Sequence, residues 1–189
     1  MARAQLSLDI VIDTAAAIAD DEGLDAVSLT RVSNAVGTTQ PALYRYVDSF
    51  DDLIRALGLL GRQVLAERLA EASADLTGEE AIRAMGYAWR SMVRDHPGLY
   101  AATDRFPCAG DAELEAAVDR VVSVLSRALR DYPLSEDQRV HAGRALRSAF
   151  HGFSHLESGD GHPHNQQLDD SFDNLLDLLC RGIKAMAAE

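Results

Sequence analysis

Residues 28–47 read SLTRVSNAVGTTQPALYRYV. The stretch begins with Ser28, a residue type that favours the N-cap of a helix, and the apolar residues that follow recur at helical spacing. Gly37 breaks this short helix, and a second one follows with Pro41 in its first turn, where proline is best tolerated. Two short helices around a glycine turn indicate a helix-turn-helix, whose second helix can enter the major groove of DNA.

Helical spacing continues on both sides of this stretch. An earlier helix is predicted between Ser7, a favoured N-cap residue, and Gly23, a favoured stop. A longer fourth helix is predicted after residues 28–47, with Asp48 or Ser49 as its cap. Five further helices are expected at residues 79–95, 97–103, 111–131, 135–158 and 168–187. No alternating strand pattern interrupts them, so the sequence predicts an all-α protein of about nine helices.

Composition narrows the class of protein. The chain has 189 residues, of which 47% are hydrophobic and 25% charged, as in ordinary globular proteins. Its net charge of −12 argues against a protein that coats nucleic acid without regard to sequence. The two cysteines, Cys108 and Cys180, are too far apart in sequence for a cysteine metal motif. The start of the chain lacks a signal-like apolar run, and no stretch is long enough for a membrane span, so we expect a cytoplasmic protein without a membrane partner.

The helix-turn-helix segment resembles the TetR family of repressors. The resemblance rests on Glu22-Gly23, on Val36-Gly37 and above all on the run QPALYRYV at residues 40–47. It continues at residues 150–153, which read FHGF and resemble the His-Gly motif of one C-terminal domain class of the family. The resemblance implies a three-helix DNA-binding domain at 1–50 and a larger ligand-binding and dimerisation bundle at 51–189. The boundary between the two halves is expected inside the long fourth helix.

The same resemblance implies which residues contact double-stranded DNA. Those expected to face base edges are Thr39, Gln40, Ala42 and Tyr44. Those expected to contact phosphates are Ser28, Arg45 and Tyr46. A glutamine side chain suits adenine N6 and N7, and an alanine methyl suits the thymine methyl, whereas phosphate contacts position the protein without reading sequence. The alternative is that this segment belongs only to the core of a small bundle, as we expect for Leu43.

One position departs from the family pattern. The family usually has a lysine at the start of the fourth helix, where this chain has Phe50 between Asp48 and Asp51. Residues 1–60 hold four arginines and nine acidic side chains, a net charge of −5. Loss of one phosphate contact lowers affinity and makes the salt dependence shallower by about one unit of slope. The alternative is that these acidic side chains face solvent and do not affect DNA binding, with the exception of Asp48 and Asp51.

Large apolar side chains in the second half are candidates for an effector site. Aromatic residues and methionines at helical spacing can line an adaptable apolar cavity, although each of them could equally belong to an ordinary core. With the resemblance, they predict a site for a small, largely apolar ligand that shifts the tilt of the fourth helix and releases the protein from a palindromic operator. The candidate ligand-binding residues are Trp89, Met92, Tyr100, Phe106 and Phe150.

The last two long helices carry an apolar stripe that predicts a homodimer. A pair of helices from each subunit would form a four-helix bundle with twofold symmetry. The alternative is that the stripe is buried within one chain. The candidate interface residues are Phe153, Leu156, Phe172, Leu175, Leu176 and Leu179.

Neither the histidines nor any catalytic motif supports a metal site or an enzyme more strongly than a DNA-binding regulator. His151 and His155 are four residues apart and could share a helix face, but no third ligand lies at a fixed short spacing, so a packed pair is favoured over zinc. The stretch 159–164 is expected to be a loop with nothing apolar to pack. No common catalytic or nucleotide-binding motif occurs, so we predict a protein that is not an enzyme and needs no cofactor. The other alternative is a ligand-binding or protein-interaction module with a weakened DNA reader.

Overall fold

The computed structural model describes residues 6–188. Within this range the chain forms nine α-helices and one 3₁₀ turn and contains no strand, which confirms the all-α prediction. The helices are α1 (Leu8–Glu22), α2 (Leu29–Ala35), α3 (Gln40–Leu43), α4 (Phe50–Ala72), α5 (Gly78–Asp95), α6 (Pro97–Ala102), α7 (Ala112–Ala128), α8 (Glu136–Ser158) and α9 (Leu168–Met186). The 3₁₀ turn is Leu24–Ala26. No helix in this range has the length and apolar character required to cross a bilayer.

Local capping explains where the early helices begin. The hydroxyl oxygen of Ser7 accepts a hydrogen bond from the backbone N–H of Ile10 at 3.3 Å, at the start of α1. Ser49 likewise accepts from the N–H of Asp52 at 3.0 Å, at the start of α4. Each cap satisfies a backbone N–H that has no partner inside the helix. Both predicted caps are therefore confirmed.

The chain divides into two compact units. The N-terminal unit contains the described residues up to Arg62 together with Asp95–Ala117. The C-terminal unit contains Gln63–Arg94 together with the described residues from Val118 onward. The division falls inside α4, and α6 and the first turns of α7 belong to the same unit as the helix-turn-helix. The functional domains expected at residues 1–50 and 51–189 stay a prediction.

Helix α6 lies directly against α1 in the N-terminal unit. A Cβ atom at Gly98 would stand only 1.9 Å from the carbonyl oxygen of Ala19, so only glycine permits this approach. The carboxylate of Asp20 accepts the backbone N–H of Leu99 at 2.8 Å, and the His96 ring nitrogen Nδ1 lies 2.8 Å from the same group. Because a carboxylate can only accept, Nδ1 is the donor. These contacts fix α6 on the helix that supports the DNA-binding motif.

Helix α4 also approaches the backbone of α6 closely, through two more glycines. Cβ atoms at Gly58 and Gly61 would each stand 2.8 Å from a backbone oxygen of α6, those of Ala102 and Leu99 respectively. Nearby, the buried guanidinium of Arg62 donates to the carbonyl of Gly58 at 3.0 Å. The backbone of α6 is therefore held between α1 and α4 with no side chain intervening at these points.

In the C-terminal unit, α5 and α9 are connected by four pairs of polar side chains. The pairs are Glu79 with Lys184, Arg83 with Asp177, Tyr87 with Asp173, and Arg90 with Asp169. Hydrogen bonding from Arg83 lowers the pKa of Asp177, and hydrogen bonding from Lys184 lowers the pKa of Glu79. Because these pKa values are lowered on folding, the stabilisation is present above the ordinary carboxylate range and is lost as the pH falls through it.

Arg90 connects three helices of this unit. Its side chain is 8% exposed and binds both carboxylate oxygens of Glu157, near the end of α8, at 2.6 Å each. It also lies over the rings of Phe153 and Phe172, 5.6 and 5.1 Å from their centroids. A guanidinium can satisfy several acceptors and still stack on aromatic rings. Together with its pair to Asp169, Arg90 ties α5 to the end of α8 and the start of α9.

Substitution of Gly98 by alanine tests the close approach of α6 to α1. The added methyl group collides with backbone, so we expect a loss of about 2–3 kcal/mol in the free energy of unfolding. The matched control is Gly143→Ala in α8, where an added Cβ meets no atom of this chain within 4 Å. That variant should gain up to about 1 kcal/mol from helix propensity. Urea unfolding followed by circular dichroism measures both, and equal stability of the two variants would show that α6 is not held in this way.

Candidate DNA-binding site

The helix-turn-helix has the local geometry that its sequence predicts. The hydroxyl oxygen of Ser28 caps α2 by accepting the N–H of Arg31 at 3.2 Å. The turn passes through Gly37 with a φ of 70°, which a side chain disfavours, and it is closed by the N–H of Thr38 donating to the carbonyl of Ser33 at 2.8 Å. Pro41 lies in the first turn of α3, as expected.

Two adjacent residues at the end of α3, the second helix of the motif, differ in their exposure to solvent. Leu43 is 0% exposed and belongs to the core, whereas Tyr44 is 49% exposed. Of the other predicted base-contacting residues, Thr39 and Gln40 are exposed and Ala42 is half-buried. The side-chain oxygen of Gln40 accepts the hydroxyl of Thr30 at 3.0 Å, which orients its amide and leaves the NH₂ group free to donate. The structure thus places the four residues on one outward-facing segment.

The three predicted phosphate-contacting residues differ in their surroundings. Arg45 is exposed, and Ser28 can still donate its hydroxyl proton while it caps α2. Tyr46 is half-buried and donates its hydroxyl to the carbonyl of Leu6 at 3.0 Å. That hydrogen bond connects Tyr46 to the segment before α1, and its contact with a phosphate stays a prediction.

Several charges of the N-terminal unit are paired inside the chain. Arg55 binds both oxygens of Asp111 at 2.6 and 2.7 Å and also reaches Glu113 at 2.7 Å. Hydrogen bonding from Arg55 lowers the pKa of Asp111, which therefore stays ionised well below neutral pH. Arg31 pairs with Glu22. These arginines are engaged with carboxylates and are not free to bind phosphate.

The start of α4 carries the predicted acidic cluster. Asp48 and Asp51 are exposed, and Phe50 between them is also exposed. The carboxylate of Asp52 accepts the backbone N–H of Asp48 at 3.0 Å and so serves to cap the helix. The lower affinity expected from Phe50 in place of a lysine stays a prediction.

A groove of about 450 Å³ opens beside the recognition segment. Its lining includes Ser28, Thr30 and Gln40 from the helix-turn-helix, with Phe50 and Ile54 from α4. It also includes Arg105, which follows α6 and lies 60 positions after Arg45 in the sequence. Sequence reasoning did not select Arg105, because only the packing of α6 on α1 and α4 brings this segment to the motif.

The predicted ligand-binding residues are divided between the units. Trp89, Met92 and Phe150 are buried in the C-terminal unit, where the rings of Trp89 and Phe150 lie 6.1 Å apart. Tyr100 is buried in the N-terminal unit, which also contains the half-buried Phe106. A second cavity, of about 420 Å³ between α7 and α8, is lined by none of these five residues. Their role in ligand binding stays a prediction.

The predicted dimer residues do not all face outward. Phe172 and Leu176 are 0% exposed in the single chain, so we correct their assignment from interface to core. Leu156 is exposed, and Phe153, Leu175 and Leu179 are half-buried.

Leu178, at 67%, has the highest exposure among the large apolar side chains that the structure describes, and sequence reasoning missed it. It lies in a run of leucines in which neighbouring positions differ by about 100° around the helix. A small error in the assumed phase of α9 therefore moves the predicted face from one leucine to the next.

The histidines of α8 form a packed pair. The rings of His151 and His155 stack with centroids 5.7 Å apart and planes inclined by 7°. Within residues 6–188 no group of three or more histidine, cysteine or acidic side chains is arranged to hold a metal ion. The loop after α8 packs more than expected, because the ring of His162 lies 4.9 Å from that of Phe153. The expectation that residues 159–164 have nothing to pack was therefore wrong.

Comparison with known proteins accounts for both halves of the chain. Residues 11–57 match the family model of bacterial regulatory proteins of the tetR family, and residues 82–179 match the tetracyclin repressor-like C-terminal domain. The chain is 33% identical over 155 residues to the HTH-type transcriptional regulator Rv0681 of Mycobacterium tuberculosis, covering 82% of this chain and 71% of that protein. It is 32% identical over 123 residues to the HTH-type transcriptional repressor DrrR1 of Streptomyces coeruleorubidus, covering 64% of this chain and 43% of that protein.

A solved structure shows the same fold. The Streptomyces coelicolor TetR family protein ActR in complex with (S)-DNPA superposes with a TM-score of 0.70 at 20% identity, covering 97% of this chain and 100% of that chain. The capped helix-turn-helix, the all-helical architecture and the matches to both domain models lead to one conclusion. The chain belongs to the TetR family of DNA-binding transcriptional regulators.

Proposed function

We propose that this protein is a repressor that binds a palindromic operator as a homodimer and is released by a small, largely apolar effector. The observation that carries this proposal is the division between Leu43, which is buried, and its neighbour Tyr44, which is exposed together with Thr39 and Gln40. A short helix that buries its inner face and exposes polar groups at its start and an aromatic group at its end is suited to the major groove. The relative DrrR1 is named as a repressor, which supports the direction of regulation.

Gln40 has the strongest chemical basis as a base-reading residue. Its amide oxygen is held by Thr30, so its NH₂ group has a preferred direction before DNA is bound. A glutamine amide discriminates adenine through N6 and N7, and each such pair contributes about 1–3 kcal/mol of discrimination. The exposed Arg45, two residues after Leu43, supplies a phosphate contact that sets register without reading bases.

The dimer is proposed to form through exposed apolar residues of α8 and α9. Leu156 and Leu178 are both exposed, and Leu175 and Leu179 retain part of their surface. A twofold axis through these helices would bury apolar side chains that the single chain leaves in water. It would also supply two recognition helices, which can bind half-sites spaced by about one turn of DNA.

The effector is proposed to act by shifting a conformational equilibrium. ActR, of the same fold, was solved with the small molecule (S)-DNPA bound. In this chain α4 supplies residues to both units, and in the N-terminal unit its Gly58 and Gly61 contact the backbone of α6. A ligand that binds one conformation of α4 more tightly than another would change the population able to bind DNA. We propose Trp89, Met92 and Phe150 as its first contacts.

A specific observation favours a second function. Asp48 and Asp51 are exposed beside the recognition segment, and residues 1–60 carry a net charge of −5. Carboxylates near phosphates weaken binding, so a module whose DNA reader has decayed would show this pattern. Selection of bound duplexes from a random pool separates the two functions, because only a working reader enriches a sequence.

Selection from random duplex DNA tests the role of Gln40. The wild-type protein should enrich a palindrome, and Gln40→Ala should relax the preference at one position per half-site and lose about 5- to 100-fold in affinity for the enriched duplex. The control Arg45→Gln should weaken binding to all sequences alike and flatten the salt dependence. If Gln40→Ala enriches the same palindrome with the same affinity, Gln40 does not read bases.

Substitution of Leu178 tests the proposed interface. A glutamate there would place a charge in an apolar contact, so Leu178→Glu should sediment as a monomer at concentrations where the wild type is a dimer. The matched control is Leu76→Glu, at another exposed leucine in the connection between α4 and α5. Sedimentation velocity measures both, and a Leu178→Glu variant that remains dimeric would place the interface elsewhere.

A further inference from the structure

Arg105 occupies an unexpected position in the N-terminal unit. It follows α6 in sequence and lines the groove of about 450 Å³ that Ser28 and Gln40 border from the DNA-binding motif. Phe50 contributes to the same groove and offers no charge, while Asp25 is the carboxylate among its lining residues. A cation from outside the motif therefore stands beside the residues that are proposed to meet DNA.

The other described arginines of this unit, apart from Arg45, are paired within the chain, which distinguishes Arg105 from them. Within residues 6–117 Arg31 pairs with Glu22, Arg55 pairs with two carboxylates, and Arg62 is buried and bonded to backbone carbonyls. In the described part of the unit, Arg45 and Arg105 are the two arginines whose guanidinium groups make no hydrogen bond or ion pair with another residue of the range 6–188. Both are exposed. A guanidinium that is left free beside a binding surface is available to a ligand with matching acceptors.

We propose that Arg105 binds a phosphate of the DNA backbone next to the bases that α3 reads. The inference rests on the proposed DNA binding and adds a contact from outside the helix-turn-helix. A guanidinium presents donors in a planar fork that matches two phosphate oxygens, and its charge releases counterions from the duplex. Ser28 supplies a hydroxyl on the same groove, and the apolar side chains of Phe50 and Ile54 form part of its wall.

The proposed Arg105 contact also accounts for DNA binding by an N-terminal unit whose net charge is negative. In the described part of the unit, Arg31 pairs with Glu22 and Arg55 pairs with Asp111 and Glu113, while Asp48 and Asp51 remain exposed beside the motif. One phosphate contact from Arg45 alone would face this repulsion on each half-site. A second contact from Arg105 supplies attraction next to Phe50, where the start of α4 offers none.

The test compares single-charge variants on the duplex that the wild-type protein selects. Arg105→Gln should bind that duplex about tenfold more weakly, and the slope of log K against log salt should become shallower by about 1 for each subunit bound. Its sequence preference should be unchanged. Arg105→Lys keeps the charge and should retain the wild-type slope. The matched control Arg120→Gln removes an exposed arginine from α7 in the C-terminal unit and should behave as wild type.

A second-site variant tests the location of the contact. Phe50→Lys places a cation on the same groove, so the double variant Arg105→Gln with Phe50→Lys should recover the wild-type slope. Fluorescence anisotropy between 50 and 300 mM KCl measures all variants, with circular dichroism as the control for folding. Equal affinity and slope for Arg105→Gln and wild type would overturn the Arg105 contact alone. Failure of the wild type to select or bind any duplex would instead overturn the proposed function on which it rests.

Discussion

The arrangement of the N-terminal unit depends on a backbone contact in which α6 lies against α1 at a glycine. No other residue fits at Gly98, because its Cβ would overlap the carbonyl of Ala19. The carboxylate of Asp20 then fixes the direction of α6 by accepting from Leu99 and His96. Two glycines of α4 also contact the backbone of α6. Since interfaces packed this closely do not deform gradually, the orientation of α6 and that of the DNA-binding motif are mechanically connected.

This connection brings a residue that follows α6 close to the DNA-binding motif, which its position in the sequence does not indicate. Holding α6 between α1 and α4 brings Arg105 to the groove beside Ser28 and Gln40. The same unit pairs Arg55 of α4 with two carboxylates. Asp111 lies just before α7, and Glu113 lies in its first turn. The charge that DNA would meet is therefore set by tertiary pairing as well as by the composition of the motif. A net charge of −12 for the chain is compatible with a local cationic edge.

Local signals in the sequence predicted the helices well, and tertiary burial was harder to predict. Capping serines and the breaks at glycine and proline placed the ends of the last five helices within three residues of those observed. The inward Leu43 also followed from helical spacing, whereas the outward Tyr44 was implied by the resemblance to the TetR family. By contrast, the burial of Phe172 and the exposure of Leu178 could not be predicted, because both are apolar residues of α9 and the positions of α5 and α8 determine which is covered. Arg105 could not be found because its neighbours come from distant parts of the chain.

Regulation by this protein requires two recognition segments held outward on one assembly. Native mass spectrometry of the complex with the duplex enriched from a random pool measures this requirement most directly. We predict two chains per palindromic duplex and loss of the complex when one half-site is scrambled. One chain per duplex, or a complex insensitive to the second half-site, would contradict a dimeric reader.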